Sequence, residues 1–229
     1  MSFLTRSALR SGRYLKSLAA SHETPWSREQ LAHSLAETLQ RRPPSSSPDV
    51  WVFGYGSLMW NPALDFDERR TAVLHGWHRS FCLRMVSGRG SPSVPGRMLA
   101  IERGGRTHGV ALRLPARSAA RELPLVWTRE MVFGAYRPAW TAITFADGMS
   151  VSAITFTADA TRPQYQRDAS VDVVAPLIAA AAGPFGSNAD YVFRLRSALA
   201  CWGGHDPYID ALAAELMPLC GKEASPSLA

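Results

Sequence analysis

The sequence predicts an α+β fold, a small mixed or antiparallel β-barrel with helices packed against its outside. Three observations carry this. Strand signals crowd the middle of the chain and helical ones its end, without the regular alternation of a parallel α/β sheet. Ala146-Asp147-Gly148 joins two strand-like runs as a tight hairpin does. Hydrophobic residues make up 46% and aromatics 10% of the 229 residues, enough for one good-sized core and too much for a disordered or fibrous chain.

Residues 2–42 read as helical and peripheral. Ser27 with Gln30 three positions on is a capping-box signal, and Leu31, Leu35 and Leu39 fall on one apolar stripe. The run Arg41-Arg-Pro-Pro-Ser-Ser-Ser-Pro48 breaks the helix, because proline cannot continue it and serines do not pack. Residues 1–49 are therefore expected to form a helical N-terminal extension and Pro/Ser linker, and 50–229 one folded domain. Strands are expected at Val50–Tyr55, Thr71–Trp77, Ser80–Met85, Arg97–Glu102 and His108–Leu114, with Gly104-Gly105 as a turn between the last two. A helix over Ala116–Glu130 follows, then strands Trp140–Phe145 and Met149–Thr157 around the hairpin turn. The remainder is helical: Ser170–Ala182, Ser187–Cys201 opened by Ser187 and Asp190, and Asp206–Leu216 with Asp206 as N-cap and Pro207 in the first turn.

Charge and cysteines narrow the partners. The formal charge is +6, with seven Arg/Lys against four Asp/Glu before residue 50 and eighteen against fifteen after it, so the excess is spread rather than gathered into a nucleic-acid-binding block. Cys82, Cys201 and Cys220 are odd in number and lack CxxC spacing, which argues for a reducing compartment. The longest apolar runs, such as Val173–Ala182, are too short to span a bilayer. A cytoplasmic monomer without nucleic-acid or membrane partner is the expectation. The first twenty residues, Arg/Ser-rich with no acid before Glu23, fit a transit peptide or a short basic amphipathic helix equally in composition.

The chemistry centres on Trp51-Val-Phe-Gly-Tyr-Gly-Ser-Leu-Met-Trp60. Gly54-Tyr55-Gly56 would open a dinucleotide fingerprint, but the third glycine position is Met59 and Asn61-Pro62 does not continue a helix. Ser57 lacks the Gly-x-Ser-x-Gly elbow of a nucleophile. Two readings remain: a strand-terminating turn, or a loop whose N–H groups hold a carboxylate or a developing oxyanion. His75, His78 and Cys82 do not make a metal site, since a spacing of three puts the two histidines on opposite faces of a strand. Acids are scarce between Arg103 and Ala146, where only Glu122 and Glu130 occur. Glu130 sits in the largely apolar Trp127-Thr-Arg-Glu-Met-Val-Phe-Gly134, so it is either a surface glutamate beside Arg129 or a carboxyl whose pKa burial raises towards the range of proton transfer.

Taken together, these pieces resemble the ChaC-type, glutathione-specific γ-glutamylcyclotransferases over about Val50–Leu216. The resemblance rests on Val52-Phe-Gly-Tyr-Gly-Ser-Leu-Met-Trp60, Gly76-Trp-His-Arg79 with Phe81-Cys82, Arg89-Gly90 and Pro95-Gly-Arg97, Gly109-Val-Ala111, Arg129-Glu130 with Gly134-Ala-Tyr136, Gly186-Ser-Asn-Ala-Asp-Tyr191, and His205-Asp-Pro-Tyr208, in the family's order. It implies a γ-glutamylcyclotransferase-like barrel whose mouth holds the active site, with Val52, Phe53, Gly54, Tyr55, Gly56, Ser57 and Leu58 around the γ-glutamyl group and Glu130 as catalytic acid/base. Arg89 is read as a carboxylate partner or a solvated loop residue, and Tyr191 as a pocket-closing hydroxyl or a packed ring. The implied reaction turns glutathione into 5-oxoproline and cysteinylglycine, consuming no water, metal or cofactor. The alternatives are a cyclotransferase for another γ-glutamyl compound and a non-catalytic binding module of the same fold. The chain departs from many relatives at Ser87-Gly88, where they carry Asp-His, and at Ala135, where some carry glycine. The first departure lies in a substrate-facing loop and so bears on substrate more than on reaction type.

Overall fold

The computed structural model describes residues 4–18, 23–44 and 47–221; positions 2–3 and 19–22 of the predicted helical stretch, 45–46 of the linker and 222–229 lie outside the described residues. Five strands close a barrel in the order β1-β3-β2-β4-β5: β1 Val50–Gly54, β2 Glu68–Met85, β3 Gly96–Leu114, β4 Tyr136–Phe145 and β5 Ser150–Ala158. Every pairing is antiparallel except β1 with β5. The predicted α+β barrel is therefore mixed. β1 is buried along its whole length, which is why it reads as an unbroken apolar run rather than an alternation.

One expectation is corrected. Gly104-Gly105 do not end a strand: β3 runs through them, paired with a β2 that is likewise continuous. The ladder register shifts between His75 and Trp77, and Gly76, Gly104 and Gly105 all take positive φ there. Glycines at such a site let one strand absorb an extra residue as a bulge, and the long ribbon bends around the barrel instead of breaking.

The helices cover the barrel. α1 Arg6–Arg10 and α2 Arg13–Leu18 precede α3 Arg28–Gln40, which carries the predicted Ser27/Gln30 capping box and buries Leu31. Trp127 and Trp140 fasten α3 down, their indole N–H groups donating to Ser34 Oγ (3.2 Å) and the Thr38 carbonyl (2.7 Å). α4 Ala116–Glu130 buries Leu123, Val126 and Trp127 against the sheet. After it come α5 Val171–Ala180, the short pair β6 Ala182–Gly183 and β7 Gly186–Ser187, α6 Asn188–Cys201 and α7 Pro207–Gly221. The Ser187 hydroxyl caps α6 by accepting from the Asp190 N–H at 3.1 Å. Among the described residues, no helix is long and apolar enough to cross a membrane.

Candidate active site

The glycine turn leaves β1 at one mouth of the barrel and tightens into a 3-10 turn over Ser57–Met59. Neither Gly54 nor Gly56 has positive φ. What they accommodate is crowding: a Cβ on Gly54 would lie 2.7 Å from Leu58 Cβ, and one on Gly56 would lie 2.6 Å from Tyr191 Oη. Helix starts leave their first N–H groups without partners inside the helix, and in this turn those groups belong to Ser57 and Leu58.

Glu130 is the last residue of α4. Because Trp127 and Val126 pin the helix to the barrel, the following residues Arg129 and Glu130 arrive at the same mouth. Arg129 binds the turn directly. Its guanidinium donates to Ser57 Oγ at 2.7 Å, to the Pro62 carbonyl at 2.8 Å and to the Asn61 carbonyl, while Nε lies 2.8 Å from Glu130 Oε1. That last contact is an ion pair lying off the N–H direction, so buried Oε1 takes no directed hydrogen bond among the described residues. The Glu130 side chain keeps 16% of its surface open, and the residue lines the cavity.

Burial pushes the Glu130 carboxyl above its ordinary value, and the Arg129 charge opposes but does not cancel that push. The carbonyl dipoles at the end of α4 act in the same sense as burial. Three tyrosines surround it. Tyr55 donates its hydroxyl to the Phe156 carbonyl, Tyr136 to the Leu99 carbonyl at 2.8 Å, and Tyr191 packs edge-on to Trp60 with ring centroids 5.3 Å apart. Burial and then the Glu130 charge raise all the Tyr55 and Tyr191 hydroxyls, Tyr191 to about 12, so both stay protonated donors. Tyr136 is raised too, by burial first.

These groups face one cavity of about 500 Å³. Of the residues singled out in the sequence, Phe53, Tyr55, Gly56, Ser57, Leu58, Arg89, Glu130 and Tyr191 line it, whereas Val52 and Gly54 do not. Val52 is fully buried, on the face of β1 opposite to Phe53. Arg89 is held by the Ser187 carbonyl at 2.6 Å, and its Cζ lies 5.6 Å from the Tyr191 ring centroid, so the β2–β3 loop and the start of α6 meet at this wall. Sequence reasoning missed Tyr14, Leu18 and Glu23, which also line the cavity from the N-terminal segment. Arg129 stood in the motif beside Glu130, but its grip on the turn depends on a pairing 72 residues apart that no local pattern records.

Residues 50–217 match the family model described as ChaC-like protein. The chain belongs to the ChaC-like family. It is 51% identical over 194 residues to the glutathione-specific gamma-glutamylcyclotransferase of Escherichia coli K12, covering 85% of this chain and 83% of that protein. To the glutathione-specific gamma-glutamylcyclotransferase 1 of Homo sapiens it is 29% identical over 181 residues, covering 76% and 72%. Among solved structures, a yeast gamma-glutamyl cyclotransferase specific to glutathione superposes with a TM-score of 0.67 at 22% identity, over 77% of this chain and 99% of that one, and so shares the fold.

Proposed function

We propose that the protein degrades glutathione, with Glu130 as the single acid/base that moves protons between the attacking and departing nitrogens. The observation that carries this is the meeting of a largely buried carboxyl, its pKa raised by burial, with the glycine turn in one cavity, bridged by Arg129. The kinship with glutathione-specific cyclotransferases supports the choice of substrate.

The chemistry is intramolecular. The glutamyl α-nitrogen must lose a proton to expose its lone pair; it then bonds to the γ-carbon, and the amide C–N bond to cysteine breaks. Protons released by the first nitrogen go to the second, giving 5-oxoproline and cysteinylglycine without water. A carboxyl whose pKa burial raises suits both halves of that exchange, since it holds an accepted proton more firmly than an ordinary glutamate and still returns it. Ring closure also needs a folded glutamyl chain, and the Leu58 N–H together with the Tyr191 hydroxyl, which accepts from the Ser57 N–H, supplies an orienting grip on its carboxylate or on the carbonyl oxygen. Arg89 is the cation available for a second carboxylate. An odd number of cysteines without CxxC spacing fits a reducing cytoplasm, where the protein acts as a monomer.

The test is to incubate purified protein with reduced glutathione and to follow 5-oxoproline and cysteinylglycine by mass spectrometry, with Glu130→Gln in parallel. Both products are expected from the wild type, and neither at a comparable rate from the folded variant. Absence of product from the wild type would turn attention to other γ-glutamyl compounds, and unchanged turnover in Glu130→Gln would remove Glu130 from the chemistry.

A further inference from the structure

We propose that residues 4–18 form a built-in wall of the substrate cavity and that Tyr14 contacts the departing half of the substrate, making this N-terminal segment a specificity determinant. The inference rests on the reaction proposed above. It concerns a part of the chain that precedes the family match at residue 50.

Leu4, Tyr14 and Leu18 line the same cavity as Glu130. They are held there by fixed contacts. Arg6 pairs with Asp65 at 2.6 Å and with the fully buried Glu122, and Asn61 donates its side-chain amide to the Leu4 carbonyl at 2.9 Å. Ala8, Leu9, Tyr14 and Leu18 share a small apolar core with Val132, the second residue after Glu130. The wall is thus tied to the loop that follows the carboxylate and to the loop that follows the glycine turn.

Tyr14 is the residue in it equipped to read a ligand. It is only 6% exposed, and its ring stacks on Phe185 with centroids 6.1 Å apart and planes inclined by 26°. Its hydroxyl donates to no other described residue and is not one of the fully buried unpartnered atoms, so it is open at the cavity that Tyr14 lines. Val132, two residues beyond Glu130, packs in the same cluster as Tyr14, which lines the cavity that Glu130 faces, and burial keeps its hydroxyl protonated and able to donate.

The division of the substrate follows from the two ends of the cavity. The glycine turn, Tyr191 and Glu130 suit the γ-glutamyl half, which must touch the acid/base. The cysteinylglycine half then lies towards the wall that remains, where Tyr14, Leu18 and Phe185 offer a largely apolar surface with the Tyr14 hydroxyl as donor. A peptide carbonyl or the terminal carboxylate of that half is the complementary acceptor.

The experiment uses the full chain and compares wild type, Tyr14→Phe and Tyr14→Ala. Turnover of glutathione gives KM and kcat separately, and melting temperature reports folding. Tyr14→Phe keeps the ring and its stack, so it removes the hydroxyl alone. We expect KM to rise about threefold to tenfold in Tyr14→Phe, the worth of one hydrogen bond, and further in Tyr14→Ala, with kcat within about twofold. In Glu130→Gln, hydrogen exchange should show residues 4–18 gaining protection when glutathione is added. Wild-type KM in both Tyr14 variants, or a fall in kcat at unchanged KM, overturns the inference while the proposed reaction stands. A wild type that neither turns over nor binds glutathione removes the reaction, and this inference with it.

Discussion

Two buried arginines grip the glycine turn, one at Tyr55 and one at Ser57, and they differ in what they leave unfinished. Arg79 on β2 donates to the Tyr55 carbonyl at 2.9 Å, to the His108 carbonyl and to Asp206 at 2.8 Å, and its side chain is fully buried. Asp206 in turn caps α7, accepting from the Tyr208 N–H at 3.1 Å. Every strong group there has a partner. Arg129, two residues further along the turn at Ser57, is just as buried but shares its charge with Glu130, whose Oε1 takes no directed hydrogen bond and which lines the cavity. The same pair of residue types thus serves as a closed clamp in one place and as an open site in the other. Satisfied buried pairs hold a fold in register, whereas a pair left partly unsatisfied costs stability that a ligand recovers.

The sharpest way to break this comparison is to neutralise each acid or base alone. Glu130→Gln should lower kcat/KM for glutathione by about 10²–10⁴-fold, the usual worth of a positioned acid/base, with little loss of melting temperature, because an amide is easier to bury than a carboxylate. Arg79→Met should do the reverse. It strands Asp206 and two carbonyls, and losing one partner of a buried pair costs about 3–5 kcal/mol. For a chain of this size that lowers the melting temperature by roughly 10 °C or more. Circular dichroism melts beside initial rates check both. If Glu130→Gln melted far below wild type, Glu130 would be part of the clamp after all.

How much of this was visible in the chain depended on whether the deciding contact was local. Helix α4 ends at Glu130 as the periodicity and its apolar face predict, and the Asp147-Gly148 hairpin stands where the turn residues put it. Ser27 and Ser187 cap their helices because a cap needs only the next three residues. Gly104-Gly105 read as a turn by the same local logic, yet the ladder to β2 carries the strand through them, and that ladder belongs to a distant segment. Gly54 and Gly56 were legible as places of close approach, but not what approaches: Leu58 and Tyr191 fill that space. Glu130 stood out through scarcity of acids and through family resemblance. Tyr14 had no signal at all, since one tyrosine in a short basic helix says nothing about the cavity it reaches.

The open side of the comparison also has a pH signature. Burial favours the neutral form of Glu130, so its proton is retained to higher pH than on an ordinary glutamate, and the basic form is lost earlier on acidification. The acidic limb of kcat/KM should therefore lie above the ordinary glutamate range. Arg129 opposes that shift, so Arg129→Met should move the limb to still higher pH, alongside a loss of turn stability from the Ser57 and Pro62 contacts. A limb that moved down, or stayed put, would mean that the group titrating in the rate profile is not Glu130.

The smallest effect falls between the two arginines, at Gly56, and it separates packing from substrate approach. An added Cβ would meet Tyr191 Oη at 2.6 Å and Leu99 Cδ2 at 3.3 Å, and Tyr191 is wedged edge-on against Trp60 and Phe81, so its ring has little room to withdraw. Overpacking of this kind costs about 1–3 kcal/mol, and Gly56→Ala should melt earlier by a few degrees. Removing the hydroxyl in Tyr191→Phe takes away the short contact and leaves Cζ at 3.9 Å, an ordinary distance. The double variant Gly56→Ala/Tyr191→Phe should then recover most of the lost stability, with a coupling of about 1 kcal/mol or more in the double-mutant cycle. Its KM for glutathione carries the second half of the answer. If stability returns and KM equals that of Tyr191→Phe alone, Gly56 is glycine because Tyr191 sits there; if stability returns and KM stays above that of Tyr191→Phe alone, the bare backbone at Gly56 is also where the substrate comes in.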